Sequence, residues 1–328
     1  DALKPKFIAG GQKNGHDPKV LEKIWGDWEK FASYAFNKSH ATCYSWVAFQ
    51  TAYLKANYPS EYMAAVLSRN LTNVEQLTIY MNECKRMGIN VLGPDINESM
   101  LQFSANKQGD VRFGLAAIKG VGEAAVESII AERTKNGRFK DIYDFIERVD
   151  YSLVNRKCLE NIAYAGGYDS ISGFSRCKFF GVDQRDNNGV TYIEQLMRYG
   201  QRYQSEKNNA QQSLFGGDTG TTDITPPVIP ACAEWSQLEK LNKEREVIGL
   251  YLSAHPLDDY KVIIRNMCKT QVGDLDHLDE LKGKEIAVAG MVVAVQNLTT
   301  KTGKPWGKFK LEDYNGTHEF ALFGKDYE

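Results

Sequence analysis

The sequence predicts an α+β, multidomain chain, mainly helical up to Gly283 and stranded beyond it. Apolar residues recur at helical spacing over residues 17–88 and 115–169, the run Gly216–Pro230 has a linker composition, and past Gly283 the apolar residues alternate. Taken in order, Asp17-Pro18 supplies an N-cap and a first-turn proline for a helix carrying Leu21, Ile24, Trp25, Trp28 and Phe31. A second helix over Ser45–Asn57 stops before Pro59, whose ring disfavours helical geometry in the residue ahead of it, and Ser60 is expected to cap a third. A fourth spans Val74–Met87, and the apolar run Ile89–Leu92 closes on Gly93-Pro94. Alternation in Leu101–Ser104 and Val111–Gly114 about the turn residues Asn106–Asp110 predicts a small hairpin. Two short-helix units follow between Leu115 and Asp169, and residues 173–212 read as one or two longer helices broken at Asn187-Asn188-Gly189. Beyond the linker, Glu234–Leu252 is helical and another helix follows His255-Pro256. Strands Ile286–Val295, Trp306–Leu311 and His318–Leu322 then form the opening meander of a small barrel. A five-stranded oligonucleotide-binding barrel needs two more, so the barrel should be incomplete.

Composition narrows the function classes. The 328 residues are 42% hydrophobic and 25% charged, which excludes disordered, collagenous and membrane-spanning classes. With 40 Lys and Arg against 42 Asp and Glu the net charge is −2, so a nucleic-acid site would have to be local rather than a global basic field. Six cysteines without a C-x-x-C pair and scattered histidines point to a reducing cytoplasm and no zinc site. No run approaches the roughly 18 apolar residues of a membrane span, and the start lacks a signal-peptide layout; an unexported chain with no membrane partner is expected. The chain opens at Asp1 without Met and stops at Glu328 in strand-like sequence, which reads as a piece of a longer polypeptide.

Ile118-Lys119-Gly120-Val121-Gly122 lies ahead of the helical stripe Val126, Ile129, Ile130. Two glycines permit a tight hairpin whose N–H groups, with the next helix N-terminus, can bind a phosphate, and Lys119 adds charge. The arrangement resembles a helix-hairpin-helix, a clamp on the DNA backbone that reads no bases. A glycine turn between helices is the plain alternative. The dinucleotide fingerprint G-x-G-x-x-A also fits Gly120–Ala125, but the second strand it requires is absent, because Ile142, Phe145, Ile146 and Val149 have helical spacing. A second hairpin candidate, Ala163–Tyr168, carries Ala165-Gly166-Gly167 in place of glycine-apolar-glycine, a weaker phosphate site than structural turn.

Gln211-Gln212-Ser213-Leu214-Phe215 ends a polar helix beside the linker. Burying Leu214 and Phe215 on a partner could contribute several kcal/mol at about 25 cal/mol/Å²; folding back on a neighbouring domain is the alternative. Phe36-Asn37-Lys38-Ser39-His40 gathers donors and one cation at a helix start, suited to phosphate or equally to a polar cap. On the terminal strands Trp306, Phe309, Phe320 and Phe323 interleave with Lys301, Lys304 and Lys308, a pattern that can stack unpaired bases, though most of these rings should be core.

The order of these parts closely resembles the C-terminal half of the bacterial replicative DNA polymerase III alpha subunits, the C-family polymerases. Phe36–His40, Tyr53–Pro59 and Glu61–Leu67 look like that family's fingers, Gly93–Asn97 and Ile118–Gly122 like the approach to its tandem helix-hairpin-helix, and Gln211–Phe215 like its sliding-clamp motif. Gly249–Leu252 with His255–Leu257 is similar to the segment before its oligonucleotide-binding domain. The resemblance implies fingers over 1–100, tandem helix-hairpin-helix over 101–170, a helical segment ending in the clamp peptide over 171–216, linker and helices over 217–283, and an incomplete oligonucleotide-binding (OB) fold over 284–328. It implies a parent DNA-directed DNA polymerase, a nucleotidyltransferase using Mg²⁺ held by palm carboxylates outside this chain, which alone should be inactive and bind no metal. Asn37, Lys38, Ser39 and His40 would hold the incoming triphosphate, Lys119, Gly120, Val121 and Gly122 the duplex primer-template DNA, and Gln211, Ser213, Leu214 and Phe215 the sliding clamp. Single-stranded template at the OB strands and other replisome subunits would be further partners. A stand-alone helix-hairpin-helix/OB DNA-repair accessory protein is the alternative, but leaves Phe36–Pro59 unexplained.

Overall fold

The computed structural model describes residues 3–34, 38–71, 73–182, 189–212, 224–314 and 316–327. Contacts divide the chain into two compact units, Asp1–Tyr62 and Met63–Glu328. In the first, α1 (Lys4–Lys13) pairs with α2 (Pro18–Tyr34). Asp17 caps α2 by accepting from the Lys19 N–H at 2.9 Å, ahead of Pro18 at the first helical position. Leu21 is buried against Gly11, where a Cβ would come within 2.5 Å of a Leu21 methyl, and Phe7 sits on Trp25 and Trp28 with ring centroids 5.5 and 4.9 Å away. The next helix, α3 (Lys38–Asn57), starts at Lys38 rather than Ser45. Its first turn therefore takes in Lys38–His40.

α4 (Pro59–Arg69) begins on the proline itself, so Ser60 lies inside the helix and is not its cap. A proline fits there because the first helical N–H needs no intrahelical partner. Met63, Ala64 and Leu67 are buried on its inner face, and α5 (Val74–Arg86) follows, capped by Asn73. Strands β1 (Val91–Leu92), β2 (Ser104–Ala105) and β3 (Val111–Arg112) make a small sheet in the order β1-β3-β2. The expected hairpin is the antiparallel β2–β3 pair; β1 joins it in parallel, an addition that two residues of sequence could not announce.

After a 3₁₀ turn at Leu115–Ala117 come α6 (Glu123–Asn136), α7 (Ile142–Arg148), α8 (Arg156–Ala165) and α9 (Asp169–Ser172). Asp141 and Asn155 cap α7 and α8. Ile118, Val126, Ile129, Ile142, Phe145, Ile162 and Tyr168 fill the core between them. The long helix expected from residue 173 is instead one 3₁₀ turn, Arg176–Phe180, bounded by Gly173 at φ +68° and by Gly181, before α10 (Tyr192–Gln212). Gly173 takes a left-handed conformation that no helix continues through.

From Ile224 an extended strap crosses this helical body. The Pro227 carbonyl lies 3.4 Å from the Tyr143 and Tyr192 hydroxyls, Pro230 packs on Gly181, and the Cys232 and Cys177 sulfurs are 3.3 Å apart. Trp235 stacks on Phe180, itself 3.9 Å from the Tyr164 ring. α11 (Gln237–Ile248) is shorter at both ends than expected: a Ser236–Glu239 capping box starts it and Gly249, at φ +94°, ends it. α12 (Lys261–Met267) and α13 (Leu278–Leu281) lead to a meander of β4 (Met291–Thr299), β5 (Pro305–Glu312) and β6 (Thr317–Phe323). β4 lies later than Ile286–Val295 because pairing with β5 carries it to Thr299, opposite Pro305. Phe309 and Phe320 stack on one face and Trp306 and Phe323 on the other. The described strands form an open three-stranded sheet, so the fold is α+β with no closed barrel.

Candidate nucleic-acid interface

The turn Ile118–Gly122 is pinned from inside and open outside. Ile118 and Val121 are buried while Lys119, Gly120 and Gly122 are exposed, and the Val121 N–H closes the turn on the Ile118 carbonyl at 3.1 Å. Gly120 has φ +74°, and a Cβ there would sit 2.8 Å from Asn161 Nδ2. Asn161 donates to the Lys119 carbonyl at 2.5 Å, and the Lys119 N–H donates to the Val247 carbonyl of α11 at 2.9 Å. Gly122 is the N-cap of α6 at φ −76°, with no side-chain cap and no atom within 4 Å of an added Cβ. The first-turn N–H groups of α6 thus stay available to an anion, with the helix dipole favouring negative charge.

Lys157 of α8 adds a cation that sequence reading missed. Its Cε is 3.2 Å from where a Gly120 Cβ would lie, so Lys119 and Lys157 flank the turn. The i,i+4 spacing of Lys157 and Asn161 along α8 gave no hint of this, since the contact depends on how α8 packs. Exposed Glu123 sits in the first turn of α6 and opposes an incoming phosphate.

The second hairpin is closed to phosphate. Gly166, at φ +83°, and Gly167 end α8 with bonds from their N–H groups to the Ala163 and Ile162 carbonyls at 3.1 and 2.8 Å. The Arg176 guanidinium covers Gly166, leaving no room for a side chain there. It pairs with Asp169 at 2.6 Å and with Glu244 at 3.1 Å. Burial pulls the Arg176 pKa down, but bonds and charge from Asp169 and then Glu244 outweigh it, and the guanidinium stays fully charged. Glu244, 1% exposed, also accepts from the Leu252 and Ser253 N–H groups at 2.9 and 2.8 Å.

Lys38, Ser39 and His40 form the exposed first turn of α3, where the Lys38 carbonyl accepts from the Thr42 hydroxyl at 2.8 Å and the His40 ring lies 4.3 Å from that of Tyr44. Asn37 lies outside the described residues. Gln211 belongs to the last turn of α10, and Ser213, Leu214 and Phe215 lie outside the described residues. Among the described residues no three His, Cys, Asp or Glu side chains converge as metal ligands, and no helix is long and apolar enough to cross a membrane.

Residues 88–179 match the family described as helix-hairpin-helix motif, spanning the hairpin, α6–α9 and the Arg176 turn. The chain is similar to DNA polymerase III subunit alpha of Saccharopolyspora erythraea, 37% identical over 98% of this chain. The Vibrio cholerae and Escherichia coli subunits are 34% and 35% identical, each over 97% of the chain. The chain is similar to one section of these DNA polymerase III alpha subunits. It spans about a quarter, 26%, of each of these three relatives. Likeness to the DNA polymerase III alpha subunits runs through the fingers-like segment as well as the hairpin, which favours this reading over a stand-alone accessory protein.

Proposed function

We propose that this chain is the DNA-holding and clamp-holding section of a replicative, template-directed DNA polymerase whose palm, with its Mg²⁺, lies elsewhere in the parent protein. The observation that carries the reading is the uncapped N-terminus of α6, presented by Gly120 and Gly122 between Lys119 and Lys157. Backbone N–H groups bond phosphate oxygens without reading bases, so Lys119–Gly122 grip duplex primer-template DNA in any sequence. Asn37, Lys38, Ser39 and His40 hold the incoming triphosphate in the intact cytoplasmic enzyme, where the N-terminal end of α3 adds its dipole. Gln211, Ser213, Leu214 and Phe215 dock on the sliding clamp. Unpaired template reaches the Trp306–Phe323 face of the meander, and other replisome subunits bind elsewhere.

Gly122→Asp tests the central claim. Asp is a favourable N-cap and has open space at this site, so the fold should be kept or stabilised while a carboxylate takes the phosphate position. Labelled duplexes of different sequence should bind wild type equally and lose affinity steeply between about 50 and 200 mM salt. The variant should bind at least about tenfold more weakly, a loss of about 1.4 kcal/mol. Unchanged affinity in a folded variant overturns the assignment.

A further inference from the structure

A cavity of about 1290 Å³ lies between α5, the segment Gly249–His255, α12 and the turn after β5. Its wall carries Lys85 from the last turn of α5, then Lys261, Arg265 and Lys269 at four-residue intervals along α12 and past its end. Lys261 and Arg265, like charges at i,i+4 on one short helix, repel one another. None of the four makes an ion pair among the described residues. The fifth cation, Arg245, is neutralised by Glu312 at 2.8 Å.

The carboxylates of this wall are committed to building it. Asp258, close enough to Lys261 to feel its charge, accepts from the His255 N–H at 2.7 Å and the Tyr314 hydroxyl at 3.0 Å. Asp313 accepts from the Val272 and Gly316 N–H groups at 2.7 and 3.0 Å. These bonds hold the His255 ring 4.3 Å from the Tyr314 ring, and the Tyr251 ring meets it edge-on at 5.5 Å. Burial pulls the His255 pKa down, so at neutral pH the ring stacks without adding charge.

We propose that this cleft is a second nucleic-acid site, which takes an unpaired strand: phosphates on Lys85, Lys261, Arg265 and Lys269, and a base against the His255–Tyr314 pair. Unpartnered cations beside aromatic faces suit a single strand of any sequence. A duplex, with its bases stacked inward and both backbones on a convex rod, cannot enter a recess of this size. The site is separate from the hairpin of α6 and does not depend on it.

The test is anisotropy of a labelled dT oligomer of about 12 nucleotides on this 328-residue chain, with a hairpin duplex as control. Lys261→Glu/Arg265→Glu/Lys269→Glu should weaken dT binding more than about tenfold and leave duplex binding unchanged. The slope of log K against log salt should shrink from about −3 to about −1, as four phosphate contacts fall to one. Lys85→Glu, on a different element, should weaken dT in the same direction should the triple variant melt early. Gly122→Asp should give the reverse pattern, weakening duplex and sparing dT. Unchanged dT affinity in folded Lys85→Glu and in the triple variant overturns the proposal, as does displacement of dT by an acidic peptide at equal charge.

Discussion

Gly120 and Gly122 look equivalent in the sequence, and the backbone separates them. Gly120 is left-handed and crowded by α8, whereas Gly122 has ordinary dihedrals and open space. Gly120→Ala should therefore cost about 1–2 kcal/mol of stability in urea unfolding, the penalty of a left-handed L-residue, and Gly122→Ala should be close to neutral. Equal costs would mean that the turn relaxes. The carboxylate of Glu244 makes a larger claim: buried, with four protein donors, it ties the Arg176 turn to the segment after α11. Glu244→Ala should destabilise by about 3 kcal/mol, because it takes one of two carboxylates from a buried guanidinium and leaves the Leu252 and Ser253 N–H groups without their acceptor. This cluster was invisible in the sequence, since Asp169, Arg176 and Glu244 meet only through packing. Lys119 and the two glycines were legible because their spacing is local; Lys157 was not, for the same reason as Glu244.

At the scale of elements, ion pairs between neighbouring segments set the acid limit. Burial opposes ionisation of Glu98, but Arg112 and then Arg138 outweigh it and hold its pKa below the ordinary value. Glu132 on α6 is likewise held down, against burial, by Arg148 of α7 and by Asn136. Carboxylates with depressed folded-state values stabilise above the unfolded value of 4.5, and that stability is lost as pH falls through the folded value. Melting temperature should hold steady from about pH 8 to 7, slip below the ordinary histidine value of 6.5 as half-buried His255 takes up its proton, and drop more steeply below about pH 5, and Glu132→Gln should be less stable at neutral pH yet lose less on acidification. Parallel acid curves for wild type and variant would remove Glu132 from the account. Helix existence was legible wherever the apolar period was long, as in α2, α5 and α8. Starts and ends were less so: Pro59 began a helix that it was expected only to precede, and a glycine pair cut residues 173–181 down to one turn.

For the whole molecule, the interface is distributed over stretches that propensity cannot connect. Sequence order alone suggested which polymerase family to consider, while the meander's register and the basic cleft beside it needed three-dimensional pairing. In the full-length polymerase, Lys38→Ala should raise the KM for deoxynucleotides or lower kcat while primer-template affinity stays constant; wild-type kinetics would remove Lys38 from the triphosphate. Truncating Leu214 and Phe215 together should cost about 2 kcal/mol or more in calorimetric titration with the sliding clamp, because two apolar anchors dominate so small a contact. Equal affinity would assign the clamp to another surface. The strap from Ile224 to Trp235 is sewn to the body through Pro227, Pro230 and the Phe180–Trp235 stack, so a pull applied ahead of Ile224 would load those three fastenings before it reached α11.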